Sequence, residues 1–337
     1  MSRHALRSTV AASVMIAAVV LRTLPSLAQD ASGTTVDTSD AVASAAWADN
    51  VTITFDEAAN TFTFQSNGIP DHGFADQYLI PTDPADQPFA DKPAEFFDVV
   101  NSVDYFTETP IDTTITTLPT YADKPTDTSL GRIGVALSGA QIFNDYENME
   151  RTVVAQDDQV IHDHVAFLDE CNGHTLVDGS NYHYHGIPVC LTERLDVEGE
   201  HSHMIGVLED GFPVYANRDA NGEVIGNEGL DECSGHVGPT PEFAEGTYHY
   251  HLTADEAPYM IDCYHGEIEQ ASFDGGPGGG APDFATVAEQ LGVSEQMLMD
   301  ALGTSMPPDF AAAAEELGIG EDELRAAMPA PGQGERP

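Results

Sequence analysis

The chain is poor in basic residues. It has 11 Lys+Arg against 57 Asp+Glu, a formal net charge of −46, and its only lysines are Lys92 and Lys124. Such a surface repels polyanions, which excludes nucleic-acid binding through a basic footprint and disfavours docking on anionic lipid. No Gly-x-Ser-x-Gly is present, so a serine-hydrolase elbow has no support. No Asp-x-Asp-x-Asp-Gly loop is present to hold calcium. Residues 217–223 come nearest to one, and an Asn-Gly hairpin turn explains them more simply. Long apolar runs are missing beyond the N-terminus. The 337 residues are still 41% hydrophobic, enough for a packed core in one large or two modest domains.

The N-terminus carries Arg3 and Arg7, an apolar run from Val10 to Leu21, and small residues at Ser26-Leu27-Ala28. This pattern predicts a secretory signal over residues 1–28, cut after Ala28. Arg22 and Pro25 argue against a membrane anchor, so no membrane insertion is expected after cleavage. Cleavage removes three arginines and no acids, leaving a formal charge of −49. The expected location is extracytoplasmic, secreted or periplasmic. There Cys171, Cys190, Cys233 and Cys263 meet oxidising conditions. Four cysteines allow three pairings. The expected pairs are Cys171–Cys190 and Cys233–Cys263, each closing a loop of similar composition. The rival is a four-thiolate zinc site, for which the sequence lacks any Cys-x-x-Cys.

Residues 29–50 are rich in Ser, Thr, Asp and Ala and predict a flexible leader. Alternating Val51–Phe55 and Thr61–Gln65 predict a hairpin. Residues 80–128, dense in Pro and Thr, suit strands and loops, and the apolar run Gly131–Phe143 suits buried strands broken at glycines. Asn144 to Val154 has room for a brief helix. The fold class expected over residues 51–270 is mainly β, with long loops and few helices. A Gly/Pro linker follows at 271–281. A small α-helical module is expected at 282–329, where Pro282-Asp283-Phe284-Ala285 recurs as Pro308-Asp309-Phe310-Ala311. A disordered tail closes the chain at 330–337.

Of the 13 histidines, 11 fall between His162 and His265. Within that stretch one pattern occurs twice. Asp169-Glu170-Cys171-Asn172-Gly173-His174 precedes Tyr182-His183-Tyr184-His185, and Asp231-Glu232-Cys233-Ser234-Gly235-His236 precedes Tyr248-His249-Tyr250-His251. On a strand, residues i and i+2 share a face. His183 and His185 therefore project together about 6–7 Å apart, opposite Tyr182 and Tyr184, and His249 and His251 repeat this. His174 and His236 can supply a third nitrogen to each. Imidazole sets of this kind suit a transition metal such as copper or zinc. His162, His164, His201 and His203 lack the repeated context and are weaker candidates, although His203 beside Met204 would suit copper; His265, after Cys263-Tyr264, is expected near the second site.

Three classes of function follow. The first is a metal-binding extracytoplasmic protein whose partner is the ion itself, used for capture, delivery or surface attachment. The second is a metalloenzyme, a hydrolase or copper oxidoreductase, with an open three-His site and Glu170 or Glu232 (less readily Asp169 or Asp231) as acid/base. The third is a metal-free structural or interaction module with a hydrogen-bonded Tyr/His core.

These segments resemble the YHYH family of secreted bacterial proteins, named for the motif at 182–185 and 248–251. The likeness extends to Ser66-Asn67-Gly68-Ile69-Pro70-Asp71-His72, to Ile133–Phe143 with Ser138-Gly139 in place of Asn-Gly, and to Asp210–Tyr215 with Ala216 in place of a glycine. It also takes in Leu230–Cys233 and Pro258–Gly266, so that it covers about residues 50–267. The resemblance implies no particular activity. It adds His72 to the candidate ligands.

Overall fold

The computed structural model describes residues 34–268 except Met149, and scattered positions between 287 and 327. The expected signal, linker and tail lie outside the described residues, as does most of the helical repeat. The described residues hold 17 strands, most of them short, and three short helices, so the domain is β-rich as its composition predicts.

The central sheet has eight strands, numbered β1 to β8 in chain order. They are β1 (Arg132–Ala136), β2 (Gln141–Phe143), β3 (Gly173–His174), β4 (His183–Tyr184), β5 (Met204–Leu208), β6 (Pro213–Tyr215), β7 (Gly235–Gly238) and β8 (Thr247–His251). Their spatial order is β3-β4-β2-β1-β5-β6-β8-β7. Exchanging the first four strands for the last four reproduces this order in reverse. The duplication in the sequence is therefore a two-fold repeat within one sheet. Each half is an antiparallel hairpin (β1–β2 or β5–β6) extended by a parallel strand that carries the Tyr-His-Tyr-His motif. The halves meet where β1 runs antiparallel to β5, with Val135 opposite Val207. A Cβ on Gly206 would overlap the Val135 carbonyl oxygen, so glycine is required for this approach.

The expected hairpin forms from Thr52–Asp56 and Thr61–Ser66, and a third strand, Ile111–Thr116, pairs with it. Its inward Phe62 and Phe64 join the main apolar core with Ile133, Val135 and Val207. Burying a side chain of that size contributes about 1.5–3 kcal/mol. A smaller cluster gathers Leu79, Phe89, Phe97, Phe167 and Leu168 beside the β3 end of the sheet.

Two expectations are corrected. Residues 34–50 are not a free leader. Thr35 bridges to Thr120, the helix Ser39–Ser44 buries Val42, and Trp47 packs edge-on to Phe64 at 5.6 Å between ring centroids. Polar composition hid these few apolar anchors. The stretch after Phe143 is not a helix but an irregular loop closed by a Tyr146–Val154 bridge.

Near the C-terminus, Val287, Ala288 and Leu298 pack with Ala313, Ala314 and Leu324 in a cluster of their own. The Val293 amide donates to the Ala288 carbonyl, and the Ile319 amide to Ala314, at the 26-residue offset of the repeat.

Candidate metal centres

Both cysteine pairs close as expected, Cys171–Cys190 and Cys233–Cys263, which removes the thiolate zinc site. Disulfides of this kind are common in extracytoplasmic proteins. Among the described residues no helix is long and apolar enough to cross a membrane.

Each Asp-Glu-Cys-x-Gly-His segment folds into the same turn. Asp169 Oδ1 accepts from the Cys171 and Gly173 amides at 2.8 and 3.0 Å, and Asp231 Oδ1 accepts from Cys233 and Gly235 at 3.0 and 2.9 Å. The other carboxylate oxygen accepts from a phenol, Tyr182 to Asp169 at 2.9 Å and Tyr248 to Asp231 at 3.0 Å. These two aspartates hold the turn to the strand and join neither set of converging histidines. Glu170 and Glu232 are exposed, and neither joins a histidine triad.

Strand alternation then separates the motif as the sequence predicts. The tyrosines enter a buried hydrogen-bonded layer. Tyr184 meets Ser138 at 2.8 Å, and Tyr250 donates to Asp210 Oδ2 at 2.5 Å. The histidines face the other way and converge. In the first half, one nitrogen from each of His174, His183 and His185 lies within 4.8 Å of the others. In the second half His201, His249 and His251 do the same. His236 completes this set, with Nε2 3.1 Å from His249 Nε2.

The tautomers follow from the backbone. Nδ1 of His183 lies 2.5 Å from the Asn181 carbonyl, and Nδ1 of His185 lies 2.7 Å from Asn144 O. In the second half, Nδ1 faces Thr247 O in His249 at 3.0 Å, Ala216 O in His251 at 2.5 Å, and Ser202 O in His201 at 2.7 Å. A carbonyl only accepts, so each Nδ1 carries the hydrogen and each neutral Nε2 presents a lone pair. His249 Nε2 lies 3.1 Å from His251 Nε2 and 3.3 Å from His201 Nε2. Three bare lone pairs so close repel one another unless a cation stands among them. Protons are a poor remedy here. Burial, reinforced by the neighbouring imidazoles, pushes His183 and His249 well below the ordinary histidine range and His251 down to about 3.

A carboxylate closes each set. Glu147 Oε1 lies 3.3 Å from His174 Nε2 and 3.2 Å from His185 Nε2. Burial alone would raise this carboxyl, and only positive charge at His185 and His174 would outweigh it and hold it down at about 2. Glu147 Oε1 and His174 Nε2 are both buried without a hydrogen-bond partner. Asp219 Oδ1 stands 3.9 Å from both His201 and His236. It sits at the predicted Asn-Gly turn, where Asn221 and Gly222 have φ of 64° and 70° and Arg218 bridges to Val224. Glu147 and Asp219 were not among the sequence candidates. The signal for them was present: they lie 72 positions apart, the offset that also relates Ile133 to Ile205 and Phe143 to Tyr215.

The remaining candidates fall elsewhere. His72 lies on the tyrosine side of the sheet. Its Nδ1 meets the Gly73 carbonyl at 2.9 Å and its Nε2 is engaged by the Tyr184 hydroxyl, so it does not reach the triad. Cys171 and Cys190 beside it are joined to each other and offer no thiolate. His203 pairs with Glu242 at 3.0 Å while Met204 turns into the core, which removes the copper pairing suggested by their adjacency. His265 stacks on Tyr121 at 4.6 Å with Asp231 and Glu232 beyond its Nε2. His162 and His164 join no cluster of three among the described residues.

Residues 112–226 and 219–266 match the family model described as YHYH protein. The matched span contains the whole central sheet and both histidine sets, and His72 lies before it. Comparison with curated proteins gives no match, and neither does comparison with solved structures.

Proposed function

Residues 112–266 match the YHYH protein family model, and from that likeness we propose that this chain is an extracytoplasmic metal-binding protein with two centres for a transition metal, copper or zinc. The first centre uses His174, His183, His185 and Glu147. The second uses His236, His249, His251 and His201, with Asp219 at its edge. The single observation that carries the reading is the set of buried Nε2 atoms facing one another while their Nδ1 hydrogens are committed to backbone carbonyls. Metal-bound imidazoles characteristically donate their second ring N–H in this way. An anionic Glu147 buried among neutral imidazoles is likewise balanced by a divalent ion.

The role in view is holding the ion, for capture, delivery or attachment. The acidic residues offered for a catalytic role, Glu170 and Glu232, stand outside both sets. Metal analysis of protein purified without chelator tests the proposal. Stoichiometric copper or zinc is expected, and replacing His183 and His185 by Ala removes the ion of the first centre. A chain that neither carries nor takes up either metal refutes it.

A further inference from the structure

The two centres share a plan but not an enclosure. In the first, the side chains of His174, His185 and Glu147 are 6%, 1% and 13% exposed. Phe143 stacks on His183 at 3.8 Å, and Phe167 stands edge-on to His174 at 4.5 Å. In the second, His249 and His251 are fully buried, but His236 is 22% and Asp219 33% exposed. The aromatic rings against His236 are those of His249 and His251 themselves. Beside them stands Gly238. A Cβ there would lie 3.6 Å from His249 Cε1 and 3.8 Å from His236 Cε1, which is ordinary contact. Glycine puts no side chain against the partly exposed His236 ring. In sequence, Leu176 (42% exposed) stands two residues after the first Gly-His, as Gly238 stands after the second. The carboxylates differ in the same sense, Glu147 at 3.2–3.3 Å from its imidazoles and Asp219 at 3.9 Å.

We infer that the centres divide the work. The first retains its ion and ties the Glu147 loop to β3 and β4, while the second loads and releases a transition-metal ion through the opening edged by His236, Asp219 and Gly238. This rests on the metal-binding reading above. Exchange at the second centre proceeds by stepwise replacement of imidazole and carboxylate donors by water or by donors of the acceptor, with no change in the oxidation state of the ion. The first centre offers no exposed donor at which such replacement can begin.

The test uses the full mature chain loaded with zinc, freed of excess metal, its zinc counted, and then mixed with excess chelating dye. Two bound equivalents leaving in two phases of equal amplitude are expected. Asp219→Asn accelerates the fast phase alone, and Gly238→Leu slows that same phase, each by about tenfold. Glu147→Gln accelerates the slow phase alone. The opposite signs of Asp219→Asn and Gly238→Leu separate access from general damage. If Gly238→Leu does not fold, Asp219→Asn and Glu147→Gln still assign the phases. Release of two equivalents in a single phase overturns the division of labour and leaves metal binding standing. So does a fast phase that responds to Glu147→Gln instead of Asp219→Asn. A chain that holds no zinc or copper before the dye is added overturns both.

Discussion

Asp210 is the buried carboxyl on the tyrosine side of the second half, in the place that Ser138 takes in the first. It accepts from the Tyr250 hydroxyl and the Gly266 amide on Oδ2 and from the Phe212 amide on Oδ1. The phenols of Tyr248 and Tyr264 are its other titratable neighbours. Burial outweighs these hydrogen bonds and raises the carboxyl from 3.8 to about 6. The folded protein thus holds this proton more tightly than the unfolded chain does. The benefit is complete below about pH 4, declines as the pH rises through 6, and is gone above it. A shift of this size corresponds to about 3 kcal/mol. Asp210→Asn removes the titration but sets an amide N–H against one of the two backbone donors, a pH-independent cost of about 1–3 kcal/mol. Chelator-treated wild type and Asp210→Asn would be unfolded in urea at steps between pH 4 and 7. The gap between them is expected to shrink as the pH rises, because only the wild type loses stability through Asp210. A constant gap would refute the assignment of that pH dependence to this carboxyl.

Other outcomes follow from the same structure. Replacing Cys233 and Cys263 by Ser frees a 30-residue separation in the unfolded chain and is expected to cost about 3–4 kcal/mol in urea unfolding. Gly206→Ala drives a methyl into the Val135 carbonyl at the junction of the halves and is expected to lower the melting temperature more than Gly238→Ala, whose added carbon meets ordinary contacts. Free zinc at a hundred times its dissociation constant is expected to stabilise the chelator-treated protein by about 2.7 kcal/mol per centre, read as a rise in melting temperature. His72→Ala is expected to lower stability while leaving the bound-metal count unchanged, since its ring engages Tyr184 and Gly73 and neither centre.

The parts of this fold that the sequence made legible are those governed by period-two alternation and by duplication. The N-terminal hairpin, the glycine-broken strands around Ser138-Gly139, the disulfide pairs and the separation of Tyr from His along 182–185 and 248–251 all follow from these local rules. Contacts made across long stretches of chain were not legible. Glu147 reaches His174 and His185 from a loop that resembled a helix start, and its equivalence to Asp219 emerges only when the repeat is extended back through the β1–β2 and β5–β6 hairpins. His201 looked like one half of an ordinary His-x-His pair, yet it enters the second centre while His203 turns to Glu242. His72 was drawn in by likeness alone, and the face of the sheet on which it packs decided against it. The short leader failed as a prediction because Val42 and Trp47, though few, meet an aromatic surface on the hairpin.

Anomalous diffraction from crystals of the protein grown with zinc or copper tests the central claim most directly. Two peaks per chain are expected, one bounded by Nε2 of His174, His183 and His185, the other by Nε2 of His249, His251 and His236 or His201, each at about 2.0–2.1 Å from its nitrogens. Empty histidine sets in such crystals, with metal found only on surface carboxylates, would contradict it.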